Sequence, residues 1–178
     1  MKEQYKVMRN IISKELAEFL GLYFLNLSNF SKGNLSDQQT MNTPSYDSEA
    51  ITETLLVMIL KRLEEESGLE LHPTYSYLRV YKKGDELPFH KDRPACEISC
   101  TINLKQSHPW SIYMDGEELI LHPGDGCIYK GMEVNHGRYE FEGDYCIQVF
   151  CHYVNTHLDH VDDKISKPGK PRFITNLG

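Results

Sequence analysis

Two periods of apolar residues divide the chain. From Ile11 to Leu25, the apolar positions Leu16, Phe19, Leu20, Tyr23 and Phe24 recur every three or four residues, the spacing that lines one face of an α-helix. Ser13 stands where its hydroxyl can cap the first turn. A second amphipathic helix is predicted over residues 49–67, with Ile51, Leu55, Val57, Met58, Leu60 and Leu63 apolar, charge gathered in Lys61 to Glu66, and Gly68 as its stop. Residues 31–48 are rich in Ser, Asn, Gln, Asp, Thr and Pro and carry no period, so they read as a loop, either covering a site or mobile.

From Tyr75 onward the pattern changes to short alternating or apolar runs. Strands are predicted over 75–82, 86–92, 97–104, 110–114, 118–121, 125–130, 133–141 and 145–154. Asp115-Gly116 and Pro123-Gly124 supply two turns, each expected to close a short hairpin. Two helices followed by eight short strands predict an all-β core with flanking helices (α+β), a jelly-roll sandwich with the helices packed on one outer face.

A length of 178 residues fits one domain with a substantial core. It divides into a helical part (1–70), a β core (75–154) and a C-terminal extension (155–178), which from Lys164 onward reads as loose. Net charge is −7 and the Lys and Arg residues are scattered, so the basic footprint of a nucleic-acid binder is missing and no such partner is expected. Cys96, Cys100, Cys127, Cys146 and Cys151 are odd in number and form no Cys-x-x-Cys pair, which argues against a disulfide framework or zinc ribbon and for buried reduced thiols. No signal-peptide core and no apolar run of about 18 residues occur. The expectation is a soluble cytoplasmic protein without a membrane partner.

The candidate chemistry lies in His90-Lys91-Asp92. On an extended strand, side chains two residues apart point to one face, so His90 and Asp92 can converge there. One further imidazole, His136, completes a 2-His-1-carboxylate set, a geometry that leaves positions open on Fe(II). The same spacing recurs in His157-x-Asp159 and His160-x-Asp162, but these lie in a polar run with no strand after it and read as a solvated tail.

Tyr81 followed after eight residues by His90-x-Asp92, the Pro-Gly-Asp turn with Tyr129 beyond it, and His136 ahead of Gln148-Val149-Phe150 resemble the Fe(II)/2-oxoglutarate dioxygenases. The likeness is to the prolyl-4-hydroxylase-like branch, whose double-stranded β-helix also follows two helices. The resemblance implies His90, Asp92 and His136 as iron ligands and Tyr81 as a hydroxyl donor to the distal carboxylate of 2-oxoglutarate. It further implies O2 as cosubstrate, ascorbate as a helpful reductant, and hydroxylation of a peptidyl or free amino-acid-like substrate with release of succinate and CO2. Asp92 stands where halogenating relatives have a small residue, which favours hydroxylation or a desaturation by the same oxidant. The alternatives are a cupin-like metal-binding or sensing module without turnover, and a metal-dependent oxygenase or isomerase that does not use 2-oxoglutarate.

One departure is plain. About ten residues after the distal histidine, where that family places a basic anchor for 2-oxoglutarate, this chain has Cys146. Two substitutes are available. Arg138, two residues after His136, shares its strand face and has a fork suited to a carboxylate, while Lys105 continues the polar face of Ser99, Thr101 and Asn103. Arg138 is preferred. Arg93 is a candidate for contact with substrate or with Glu97; Trp110, Tyr113, Tyr129 and Phe150 read as core, and His152 as core or rim.

Overall fold

The computed structural model describes residues 1, 3–31 and 33–156, so the His157 and His160 repeats lie outside the described residues. In chain order the elements are β1 (Tyr5–Met8), α1 (Lys14–Phe30), β2 (Ser45–Asp47), α2 (Ala50–Met58), α3 (Leu60–Ser67), β3 (Leu71–Lys82), β4 (Leu87–His90), β5 (Ile98–Gln106), β6 (Ile112–Met114), β7 (Glu117–Leu119), β8 (Gly126–Lys130), β9 (His136–Arg138) and β10 (Tyr145–Asn155). They form an antiparallel jelly roll. A six-stranded sheet, in the order β1-β8-β5-β10-β3-β2, faces a four-stranded sheet, β4-β9-β6-β7.

The two-residue period decides what faces where. On β3, Leu78 and Val80 belong to the apolar layer beneath the helices, whereas Tyr75, Tyr77, Arg79 and Tyr81 alternate with them and face the barrel interior. Ile98, Cys100 and Ile102 of β5 and Ile147, Val149 and Cys151 of β10 join that layer, against Leu20 and Phe24 of α1, Leu55 and Leu56 of α2 and Leu63 of α3. Phe24 is wholly buried, and its truncation to Ala should cost about 3–5 kcal/mol.

Ser13 caps α1 by accepting a hydrogen bond from the Leu16 amide at 3.2 Å. The second predicted helix is two. At Ile59 the backbone (φ −89°, ψ −7°) turns to the edge of the helical region while the side chain is buried, and the axis breaks into α2 and α3. Gly68 ends α3 in the left-handed conformation.

The Asp115-Gly116 turn closes the β6–β7 hairpin, with both residues at positive φ as a type I′ turn requires. The Pro123-Gly124 turn behaves otherwise. It closes on itself through Asp125 N–H to His122 C=O (2.8 Å), but it carries the chain from the small sheet to the large one, where β8 pairs with β5 and β1. Strands β1 and β2 are further additions to the predicted set, both at edges of the large sheet. All five cysteines are buried and unpaired, and no described helix is long and apolar enough to cross a membrane.

Candidate metal and cosubstrate site

The three predicted donors meet at the mouth of the barrel. His90 Nε2 is 3.5 Å and His136 Nε2 3.7 Å from Asp92 Oδ1, and one donor atom from each residue lies within 4.8 Å of the others. The backbone arranges this in two ways. A bulge in β4 between Leu87 and His90 adds a residue against β9, which turns Phe89 outward and sets His90 directly opposite His136. The predicted strand 86–92 therefore stops at His90. Asp92 sits in the following loop and is held there by its amide, which donates to the Gly131 carbonyl at 2.8 Å.

Gly131 is required for that approach. A Cβ at this position would stand 2.5 Å from Asp92 Oδ2 and would collide with the Cys96 carbonyl oxygen. Each histidine donates Nδ1–H to the carbonyl two residues before it, His90 to Pro88 (2.8 Å) and His136 to Val134 (3.1 Å). That leaves the lone pair on Nε2, the atom facing Asp92.

Burial pushes the His136 imidazole below its ordinary pKa, against the opposing charge of Asp92, so the ring is neutral as a ligand must be. Burial works the other way on Asp92 and raises its carboxyl. The interactions of the carboxylate with His90, His152 and His136 and with the Ser99 hydroxyl outweigh it and hold the group below the usual range. Ser99 Oγ donates to Asp92 Oδ2 at 3.0 Å and lies 2.8 Å from His152 Nδ1. One carboxylate oxygen is thus tied back while Oδ1 faces the histidines. His152, predicted as core or rim, is buried behind Ser99.

Arg138 shares the inward face of β9 with His136. It is buried and donates Nη1–H to the Trp110 carbonyl at 2.6 Å, its guanidinium 4.8 Å from the Trp110 ring centre, yet Nε and Nη2 have no partner. Neither Glu140 nor Glu142 pairs with it. Burial pushes its pKa down, and the groups that oppose this are, in order, Cys146, Tyr81, Tyr129 and Cys127; Arg138 and the predicted tyrosine share Trp110, whose ring centre is 4.8 Å from the guanidinium and 4.9 Å from the Tyr81 ring. Tyr81 is wholly buried edge-on to Trp110, and its hydroxyl is 3.3 Å from Arg79 Nη1.

Lys105 is elsewhere. Opposite Ile147 and Gln148 of β10, β5 bulges by one residue, so that Asn103 pairs with Gln148 but Lys105 with Ile147, and the extra residue reverses the alternation of β5. Lys105 consequently lies beneath α1, against Gly21, with Nζ 2.6 Å from Glu18 Oε1. It does not point into the barrel.

The open cavity before the triad has a volume of about 470 Å³. Its far wall comes from residues that the sequence reading passed over. Arg79 reaches Asp37 and Gln39 of the 31–48 loop, and Tyr77 donates to Asp37 at 2.7 Å, so this loop lies over the site. Arg79 was detectable, because it has the same parity on its strand as Tyr81. Arg93 also lines the cavity, donating to the Tyr75 hydroxyl through Nε (3.1 Å) and Nη2 (2.5 Å). Glu97, expected as its partner, accepts from the Asn155 amide at 3.3 Å.

No family model matches this chain, and no curated protein matches its sequence. Solved structures do match in shape. A prolyl-4-hydroxylase of Pseudomonas putida aligns with a TM-score of 0.68 at 13% identity, over 86% of this chain and 94% of that one. The viral collagen prolyl hydroxylase of Paramecium bursaria Chlorella virus-1, in its 2-oxoglutarate complex, aligns at 0.65 and 10% identity, over 85% and 96%. HygX of Streptomyces hygroscopicus, with nickel and 2-oxoglutarate bound, aligns at 0.65 and 10%, over 86% and 83%. The fold is that of the 2-oxoglutarate-dependent oxygenases. Within this oxygenase fold the donor triad occupies one end of the barrel, and Arg138 lies on the same inward face of β9 as His136.

Proposed function

We propose that the protein is an Fe(II)- and 2-oxoglutarate-dependent oxygenase that hydroxylates a C–H bond of a peptidyl or free amino-acid-like substrate, releasing succinate and CO2. The observation that carries this reading is the pairing of His90, Asp92 and His136 with a buried guanidinium whose Nε and Nη2 lack partners. Two imidazoles and a carboxylate suit Fe(II) and leave coordination positions open. A buried cation with two unused donors is costly, and a carboxylate satisfies both at once.

Bound together, iron and 2-oxoglutarate supply the oxidation. The chain's residues do the rest. His90, Asp92 and His136 hold the metal by Nε2, Oδ1 and Nε2, with Nδ1–H bonds and Ser99 fixing the three orientations. Arg138 and the Tyr81 hydroxyl receive the distal carboxylate of the cosubstrate in the apolar cluster of Trp110, Phe141, Cys146 and Phe150, which excludes water. Asp37, Tyr77 and Arg79 close the cavity from the opposite side.

The test is succinate formation from 2-oxoglutarate under air with Fe(II) and ascorbate, followed by mass spectrometry in wild type and His136→Ala while candidate peptides and amino acids are added. Succinate from wild type alone, rising with a substrate, is expected. A folded, iron-loaded wild type that forms none even without substrate rejects the oxygenase reading.

A further inference from the structure

Arg79 is almost completely buried on the cavity wall, and the barrel itself supplies several of its contacts. Its guanidinium lies 5.1 Å from the centre of the Tyr77 ring and 5.7 Å from that of Phe150, and Nη1 is 3.3 Å from the Tyr81 hydroxyl. All these contacts come from β3 and β10. The cation is thus preorganised by the barrel, facing a cavity that opens on the triad.

The anion it meets comes from outside the barrel. Asp37 Oδ2 accepts 2.5 Å from Nη2, 3.1 Å from Nε and 2.7 Å from the Tyr77 hydroxyl, so one carboxylate oxygen receives three donors. Gln39 Oε1 adds a fourth contact, at 2.7 Å from Nη2. Asp37 belongs to a loop segment without regular structure. The segment is tied at its base by the Asn34–Ser45 bridge and the pairing of β2 with β3, and these ties are independent of Asp37. A fork, a phenol and an aromatic floor that engage a carboxylate on a separate loop can engage a carboxylate on a ligand in the same way.

We infer that Arg79, with Tyr77, is the docking point for a carboxylate group of the substrate, and that Asp37 occupies it until the substrate arrives. Exchange of one carboxylate for another leaves the buried charge balanced, and the released Asp37 returns to water. The cavity then selects substrates bearing an anionic group, as a free amino acid or a peptide C-terminus does, although the protein as a whole carries a net charge of −7. The role of this carboxylate as part of a substrate rests on the oxygenase reading, but binding at Arg79 does not.

The experiment therefore uses the full chain, metal-free in chelator, and calorimetric titration with N-acetylglycine against N-acetylglycinamide. Wild type binds the acid and not the amide. Asp37→Asn, isosteric but no longer anionic, binds it about tenfold more tightly because the competing occupant is weakened. Arg79→Gln binds neither. In wild type, backbone amides of residues 35–41 exchange hydrogen faster when the acid is added, a readout that needs no variant to fold. A folded Asp37→Asn with unchanged affinity, or no change of exchange in wild type, overturns the inference. A last arm adds Mn(II) and saturating 2-oxoglutarate. Persisting acid binding supports a substrate site, whereas competition assigns Arg79 to the cosubstrate and overturns the substrate claim. Failure of every binding arm leaves succinate formation untouched, so the two readings fail separately.

Discussion

The Arg138 guanidinium, entering from β9, packs on Trp110, the ring that shares an apolar cluster with Cys146 of β10. Arg138 and Cys146 influence each other's ionisation: after burial, which dominates both, Cys146 is the first group acting on Arg138 and Arg138 the first acting on Cys146. The cation thus arrives from β9 of the small sheet and not from β10 of the large sheet, where the sequence resemblance places it. Arg138→Met should weaken 2-oxoglutarate binding, raising the concentration required by about 10–100-fold for a loss of about 1.5–3 kcal/mol. The same substitution should stabilise the ligand-free protein by about 1–3 kcal/mol, since it removes a buried cation with two unpartnered donors. Titration calorimetry and urea melts of one variant check both signs.

Lys105→Ala provides the contrast. Its partner Glu18 is half exposed, and such pairs contribute at most about 1 kcal/mol. The 2-oxoglutarate requirement should not move, and a steady-state KM measurement decides it.

Gly131→Ala should damage the metal site without altering a ligand. Its Cβ would overlap Asp92 Oδ2 and the Cys96 carbonyl, so the carboxylate must shift. Metal affinity should fall about 10–100-fold, the range seen when the surroundings of a ligand are disturbed. Co(II) titration in wild type and variant, with circular dichroism to confirm folding, measures it.

Acid stability should depend on Asp125, which ties the start of the chain to the β7–β8 turn. Burial raises its carboxyl, but the Asn10 amide (3.0 Å), Arg9 (2.6 Å) and the His122 amide (3.1 Å) outweigh this and hold it below the ordinary value of 3.8. A carboxyl lowered in the folded state stabilises above its unfolded pKa, and that contribution is lost as pH falls through the folded value. Asp125→Asn should lose about 1–3 kcal/mol at pH 7 and less below pH 3. Denaturant midpoints at the two pH values test the convergence.

Much of this was legible because period and parity are local properties. The alternation on β3 and β5, the Ser13 cap and the Asp115-Gly116 turn follow from residue type and spacing. The convergence of His90 with Asp92 was anticipated for a partly different reason, since Asp92 lies beyond the strand and is placed by the Gly131 carbonyl. Lys105 was misplaced because a bulge depends on the partner strand, and one inserted residue reverses every face after it. The edge strands β1 and β2 went unpredicted because only three or four residues pair in each, too few for a period to emerge. Asp37 could not be linked to Arg79 across 42 residues of sequence from composition alone.

The most direct test of the account is the visible spectrum of the protein mixed with Fe(II) and 2-oxoglutarate under strict exclusion of oxygen. A weak charge-transfer band in wild type, absent from Asp92→Ala and restored in Arg138→Met only at far higher 2-oxoglutarate, is the predicted result. No band from folded, iron-loaded wild type at any 2-oxoglutarate concentration would contradict it.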